Sequence, residues 1–152
     1  MTKGEFLAEL RDGRRQWEAA LARVPQERML EPELPGGWSL KDVIAHVAWS
    51  EREMLGMIRK RAFVGSPLWR LDLDARNAAV VEASRGRPLP EIRDEELMLW
   101  TELAPALESL SDEDLTDPTR FPPLQELPGV QPWQIFAGGT FRHYRDHIRD
   151  VP

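Results

Sequence analysis

The stretch GGWSLKDVIAHVAWSERE, residues 36–53, contains the clearest helix start in the sequence. Ser39 is a favourable N-cap, because its hydroxyl can accept a hydrogen bond from the backbone N–H of Asp42, whose side chain can reach back to the cap. Trp38 and Val43 flank this cap at the spacing of a hydrophobic staple. The stretch therefore predicts the start of a long amphipathic helix.

His46 lies on the apolar side of this helix, which is expected to continue to about Arg61. Residues of a helix advance by about 100° each, so positions three, four and seven apart share a side. The side that carries His46 also carries Val43, Val47, Ser50, Met54 and Met57. An imidazole in such a stripe is either a hydrogen-bonded core residue or a ligand.

Three further long helices and one short helix are expected from the hydrophobic periodicity. Their approximate bounds are Thr2 to Arg23, Asp72 to Ser84 for the short helix, a start near Glu91, and Pro132 to Asp150. Pro105 is expected to kink or divide the third long helix near Ala104. No segment alternates as a strand does, so the predicted fold class is all-α. A long proline-rich crossing before the last helix indicates a bundle whose neighbours are not all joined by tight hairpins.

The last helix carries the other two histidines of the chain, His143 and His147, in FRHYRDH. One arc of roughly 100° is expected to face the core, and it holds Trp133, Phe136, Thr140, His143, Tyr144, His147 and Val151. The arginines of the same segment fall outside this arc. All three histidines of the chain are therefore predicted to point inward.

Histidines four residues apart on a helix lie close enough to bind one metal ion. His46 from a facing helix would complete a set of three ligands around a divalent cation and leave coordination positions open, as in catalytic metal sites. The alternative is three separate core histidines, each with its own hydrogen bond. We favour the shared metal site, because none of the three histidines is left for the surface.

Ser50 and Glu53 are weaker candidates for the same site. Ser50 lies one turn from His46 and could present a hydroxyl, whereas Glu53 lies two turns away and could contact substrate or act as a base. The alternative for Glu53 is an ion pair with a neighbouring cation. Trp49, next to the side that carries His46, is an alternative pocket residue, although core packing is the simpler interpretation.

Gly138 and Gly139 interrupt the predicted last helix one turn before His143. Each glycine costs on the order of 1 kcal/mol relative to alanine inside a helix. Either a neighbouring helix approaches closely there, or the glycines leave space above the metal. We favour close packing.

Composition excludes several classes of function. The 152 residues suit one domain, residues 1–152, with a continuous core. The absence of cysteine excludes disulfides, thiolate metal ligands and cysteine nucleophiles, so any thiol must come from outside the chain. A net charge of −6 argues against nucleic-acid binding. No run approaches the roughly 20 apolar residues of a membrane span, and no secretion signal is visible. We therefore expect a cytoplasmic protein without membrane contact.

The sequence resembles the DinB/YfiT-like family of metalloenzymes along nearly its whole length. The similar segments are GGWSLKDVIAHVAWSERE, RNAAVVEASRGRPLPEIRDE, LESLSDEDL and FRHYRDHIRDV, in this order. The resemblance implies a four-helix bundle with up-down-down-up topology and one shorter extra helix, a homodimer, and a divalent metal, zinc or nickel. The family's three ligands fall on His46, His143 and His147.

The resemblance also implies a range of activities. Some relatives are implicated in transferring low-molecular-weight thiols such as bacillithiol or mycothiol, and others in hydrolysis or isomerisation. The leading hypothesis is a metal-dependent enzyme that activates such a thiol for attack on a small electrophile. The alternatives are a hydrolase that uses metal-bound hydroxide and a non-catalytic helical binding or stress-response module.

Overall fold

The computed structural model describes residues 1–152 and contains seven α-helices without any β-strand, which confirms the all-α prediction. The helices are α1 Lys3–Ala22, α2 Leu40–Lys60, α3 Leu73–Ser84, α4 Leu89–Glu108, α5 Asp112–Thr116, α6 Pro132–Gly139 and α7 Phe141–Ile148. None of them has both the length and the apolar character needed to cross a bilayer.

Side-chain caps set the helix starts that the sequence predicted. Ser39 accepts from Asp42 N while Asp42 accepts from Ser39 N, so both halves of the expected capping box are present at the start of α2. Thr2 and Glu5 form the same pair at the start of α1. Each cap satisfies backbone N–H groups that the first helical turn leaves free.

The segment after α4 contains a helix that was not expected. Ser111 accepts from Asp114 N, and Asp114 accepts from Ser111 N, so a capping box starts α5 inside the crossing that we predicted as a loop. The signal is the same as that at Ser39, but the helix of five residues is too short to show hydrophobic periodicity.

Two ion pairs show that α2 and α4 run in the same direction. Arg52 pairs with Glu95, and Arg59 pairs with Glu102 at 3.5 Å. From the first pair to the second, the residue number rises by seven in both helices, so α2 and α4 are parallel. Because α2 and α4 are parallel, the chain must return along the length of the bundle between them, and α3 with its loops provides this connection.

The remaining contacts complete the up-down-down-up order. Trp17 of α1 stacks on Tyr144 of α7 at 6.0 Å, and Gly13 approaches Phe141, so α1 and α7 ascend together. Ser50 of α2 bonds to Gly139, whereas His46 contacts His143, so α2 opposes α7. This arrangement confirms the predicted bundle, and 30 buried apolar residues form one core cluster across its helices.

Pro105 does not divide α4, although division was one of the two outcomes that we predicted for it. The helix continues to Glu108, only three residues beyond the proline. A proline removes one backbone donor and crowds the preceding turn. The bond to the carbonyl four residues earlier is lost at this one position, whereas the carbonyl of Pro105 still accepts from Ser109 N at 3.0 Å, so the helix continues past the proline.

The last helix, predicted as continuous, is divided at Thr140. This residue has φ −130° and ψ −106°, outside the helical region. Its hydroxyl donates to Phe136 O at 2.6 Å, and the Ser50 hydroxyl donates to Gly139 O at 3.0 Å. Side chains thus satisfy carbonyls of the last turn of α6, and α7 begins again at Phe141.

The two glycines before the break have different surroundings. A Cβ on Gly139 would lie 2.5 Å from Cγ and Sδ of Met54, so α2 approaches closely there, as we favoured. A Cβ on Gly138 would meet nothing within 4 Å, and Gly138 lines a cavity instead. Close packing therefore holds at Gly139, whereas Gly138 borders open space at the cavity wall.

Candidate metal centre

The structure brings all three histidines together, as the sequence predicted. Nε2 of His143 lies 2.9 Å from Nε2 of His46 and 3.0 Å from Nε2 of His147. The ligand nitrogens of all three lie within 4.8 Å of one another. We refer to these residues as the histidine cluster, a group that could hold a metal ion.

Two helices position the cluster. The cap at Ser39 fixes the start of α2 and so places His46 at its second turn, where the side chain is buried. His143 and His147 are half-buried on successive turns of α7. Because the break at Thr140 precedes both, α7 alone fixes the spacing of this pair.

The ring nitrogens of the cluster cannot satisfy one another. Each Nε2 offers either one proton or one lone pair, and Nε2 of His143 faces two neighbours at hydrogen-bond distance. One of these contacts therefore lacks a proper hydrogen bond. A cation would accept all three lone pairs, and nitrogens bound to one ion at about 2.1 Å lie at most about 4.2 Å apart. The separations of His143 Nε2 from His46 Nε2 and from His147 Nε2 both meet that limit.

The cluster is electrically neutral near pH 7. Burial, with smaller contributions from His147 and Arg76, lowers the pKa of His46 to about 4. Burial also lowers the pKa of His143 well below its ordinary value, helped by the two neighbouring histidines. Burial lowers the pKa of His147 against the opposing charges of Asp150 and Asp146. Neutral imidazoles carry the lone pairs that a metal ion needs.

Aromatic rings hold the imidazole of His46. Trp38 meets its edge at 5.5 Å, and Trp49 stacks on it at 6.0 Å between ring centroids. Nδ1 of His46 and Nδ1 of His143 are buried and have no hydrogen-bond partner. Packing therefore replaces the hydrogen bond that usually orients a ligating histidine.

The cluster opens onto a cavity of about 360 Å³. His46 and His143 form part of the wall, with Trp49, Ser50, Trp69, Arg76, Asn77 and Gly138. The pocket role that we gave as an alternative for Trp49 is therefore confirmed. A larger surface groove of about 580 Å³ lies beside Lys41 and Pro88 and contains no histidine, so we assign the candidate site to the smaller cavity.

The two weaker candidates have other partners. Ser50 lines the cavity but donates its proton to Gly139 O at 3.0 Å. Glu53 does not line the cavity, and its Oε2 accepts from Ser66 N at 2.8 Å and from Trp69 Nε1 at 2.7 Å. Glu53 thus forms no ion pair and anchors the loop that carries Trp69.

The sequence model of the DinB superfamily matches residues 9–151. The chain belongs to the DinB superfamily. It superposes on the crystal structure of an uncharacterised protein from Escherichia coli UTI89 with a TM-score of 0.78 and 13% identity, covering 99% of this chain and 90% of that one. A crystal structure of a protein from Streptococcus pneumoniae gives a TM-score of 0.78 and 15% identity, with 99% and 88% covered. At these identities the similarity shows the fold alone, and no curated protein matches the sequence.

This DinB-superfamily protein also contains a buried charged network beside the histidine cluster. Arg14 pairs with both oxygens of Glu96 and, at 3.1 Å, with Oε1 of Glu51. The hydroxyl of Tyr144 donates to the same Glu51 oxygen at 2.5 Å. We refer to Arg14, Glu51, Glu96 and Tyr144 as the Arg14 network, which joins α1, α2, α4 and α7.

Burial alters the protonation of this network. Burial and the nearby Glu96 raise the pKa of Glu51 well above its ordinary value. Oε2 of Glu51 has no hydrogen-bond partner, so this oxygen can carry the proton of a neutral carboxyl group. Burial likewise raises the pKa of Tyr144. Since Tyr144 follows His143 in α7, the network contacts the helix that carries two of the three histidines.

Sequence reasoning missed Arg76, Asn77 and Trp69 as cavity residues of the DinB-superfamily protein. A signal existed for Arg76, because positions 73, 76, 77, 80 and 84 share one side of α3, and Val80 and Ser84 on that side are buried. Trp69 lies in a short 3₁₀ turn, Pro67–Arg70, where no periodicity applies.

Proposed function

We propose that the protein is a metal-dependent enzyme in which His46, His143 and His147 hold a divalent cation that activates a low-molecular-weight thiol for transfer to a small electrophile. The observation that supports this most directly is the convergence of three neutral imidazoles, two of which, His46 and His143, line a cavity of about 360 Å³. Three protein ligands leave coordination positions for a cosubstrate.

The donor set is compatible with zinc and with nickel, since imidazole binds both. When bound, such a cation lowers the pKa of a coordinated thiol and so supplies a thiolate near neutral pH. The neutral histidines add no negative charge that would weaken this effect. Trp38 and Trp49 pack against the ring of His46, which is buried.

The cavity offers no activated nucleophile of the protein itself. The chain lacks cysteine, and Ser50 donates its proton to a backbone carbonyl rather than to a histidine or a carboxylate. A serine without an adjacent base is a weak nucleophile. A nucleophile from outside is therefore favoured, and a thiol of the bacillithiol or mycothiol type meets this need.

The experiment combines metal analysis with a transfer assay on the purified protein. We expect about one divalent ion per chain, and conjugation of monochlorobimane that requires both this metal and bacillithiol or mycothiol. The variant His143→Ala/His147→Ala is expected to lose both metal and activity. Arg142→Ala, on the exposed side of the same helix, is the matched control and should retain both.

Other outcomes would replace the proposal. Turnover of electrophilic esters without any thiol would indicate a hydrolase. Equal metal content in the wild type and the double variant would indicate that the cluster is not the metal site, and a non-catalytic binding module would then be favoured. The homodimer and the cytoplasmic location remain predictions, and light scattering tests the first.

A further inference from the structure

Arg76 is the only charged side chain in the wall of the histidine cavity. None of the fourteen wall residues is Asp or Glu. Arg76 also forms no ion pair. Even the well-exposed Arg11 and Arg15 pair with acidic side chains. In a chain with a net charge of −6, the cavity therefore presents an unneutralised positive charge.

The guanidinium of Arg76 is also short of hydrogen bonds. Its Nε is buried without a partner, and so is Oδ1 of the adjacent Asn77. A buried polar atom without a partner is costly and rare in folded proteins. These two atoms are closed to the cavity, but the terminal NH2 groups of Arg76 are not buried and also form no hydrogen bond within the chain, so they are the donors that a ligand in the cavity can use.

The position of Arg76 is fixed by its neighbours. Its guanidinium carbon lies 4.5 Å from the centre of the Trp69 ring. Trp69 in turn donates to Glu53, and a side chain at Gly65 would overlap the Trp69 ring. Arg76 is thus held by stacking in an arrangement that α2 and the loop maintain.

The rest of the wall is mainly apolar. The rings of Trp49 and Trp69 lie 5.4 Å apart, and Phe63, Leu73 and Ile135 extend this surface. A flat apolar group is the shape that such rings bind well. At about 360 Å³ the cavity is at the small end of the usual range of roughly 300–1,000 Å³ for ligand sites.

We propose that this cavity binds a small molecule with one carboxylate and a flat apolar body, and that Arg76 holds the carboxylate. One guanidinium matches one carboxylate in charge and in geometry. The apolar body then lies along the tryptophans, and its far end faces His46 and His143. This inference deepens the proposed function and rests on it only in taking the cavity as the substrate site.

The test compares an acid with its neutral amide. The probes are 3-phenylpropanoate and 3-phenylpropanamide, titrated by ligand-observed NMR into the full chain after dialysis against EDTA. The wild type is expected to bind the acid at least about tenfold more tightly than the amide. Arg76→Gln should raise the Kd of the acid by about tenfold or more while changing that of the amide by less than about twofold.

Two further variants complete the test. Arg76→Lys keeps the charge without the planar fork and should retain part of the preference for the acid. Arg70→Gln is the matched control, because Arg70 is exposed, lies on the adjacent loop and forms no ion pair. Circular dichroism and the unfolding midpoint check that every variant is folded.

The inference is overturned if Arg76→Gln and Arg70→Gln bind the acid equally well, or if the wild type does not distinguish acid from amide. These measurements use neither metal nor turnover. A protein that binds no metal would therefore contradict the proposed function without affecting this result. A protein with metal-dependent thiol transfer but no acid preference would contradict only the present inference.

Discussion

The Arg14 network and the histidine cluster are both polar and both include residues of α2 and α7, yet they differ in whether their polar groups find partners within the chain. In the network, a guanidinium lies between two carboxyl groups, and a tyrosine hydroxyl adds a hydrogen bond. In the cluster, three neutral imidazoles face one another, and their contacts include no carboxylate and no cation.

Buried polar groups can therefore serve the fold or bind a partner from outside. A group of charges that is matched within the chain can hold helices in one register, because any other packing would leave a charge unpaired. A group with unused lone pairs adds little to the fold and indicates a partner from outside. The comparison predicts opposite responses when each is perturbed.

The largest effect is expected from Arg14→Met. The variant leaves Glu51 and Glu96 buried without their cation, so the free energy of unfolding should fall by about 3–5 kcal/mol. Urea unfolding followed by circular dichroism measures this loss. Metal content should be unchanged in the fraction that remains folded.

Arg11→Met is the control for this measurement. Arg11 lies one turn earlier in α1 and pairs with Glu108 at 3.2 Å, but both side chains are about half exposed. Such a pair contributes about 1 kcal/mol or less. If the Arg14 variant is too unstable to purify, adding Glu51→Gln and Glu96→Gln should recover part of the stability. Equal losses in the Arg11 and Arg14 variants would contradict the role of the network.

The next effect is stabilisation by an added cation. Zinc or nickel at about 100 times its Kd should raise the free energy of unfolding by about 2.7 kcal/mol, because only the folded chain brings the three histidines together. Differential scanning calorimetry with and without EDTA measures this change. In the variant His143→Ala/His147→Ala the cation should have no effect.

That double variant also distinguishes the two regions without metal. Because the lone pairs of the cluster lack partners, removing two of the imidazoles should change the stability of the metal-free protein far less than Arg14→Met does. A loss as large as that of the Arg14 variant would mean that the cluster is itself a structural element.

The smallest effect concerns pH. Because the pKa of Glu51 is raised in the folded state, its contribution to stability is full below the ordinary value of 4.5 and is lost as pH rises through the folded pKa. Glu51→Gln removes this dependence. The stability of Glu51→Gln relative to the wild type should therefore increase above pH 4.5, by at most about 1.4 kcal/mol per pH unit.

Glu5→Gln supplies a control of opposite sign. Hydrogen bonds from Thr2 lower the pKa of Glu5, so its contribution is present above the ordinary value and is lost as pH falls. Urea unfolding at several pH values measures both differences. A constant difference between wild type and Glu51→Gln across this range would show that Glu51 does not titrate as its burial requires.

The two regions also differ in how far the sequence predicts them. His46, His143 and His147 were found from helical periodicity, which assigns a side of a helix without knowing its neighbours. Arg14 lies in RDGRRQW and resembles any surface arginine. Its burial depends on acidic residues 37 and 82 positions away along the chain, which no local pattern relates to it.

The break at Thr140 was unpredictable for a similar reason. It depends on Met54 and Ser50 reaching Gly139 from another helix. The capping box at Ser111, in contrast, was readable from residues three apart. Local hydrogen bonds and periodicity are thus visible in the sequence, whereas contacts between distant segments become visible only in the folded chain.

The joint at Thr140 separates two tasks along one stretch of chain. Gln134, Ile135 and Gly138, which shape the cavity, precede it, whereas the paired imidazoles follow it on a rigid segment of their own. Provided that the buried Phe136, Ala137 and Gly139 are kept, we expect that Gln134, Ile135 and Gly138 can be changed for a new ligand without shifting the register of His143 and His147. Changes of ligand preference on this wall of the cavity and retention of the imidazole pair thus concern different segments of the same stretch of chain.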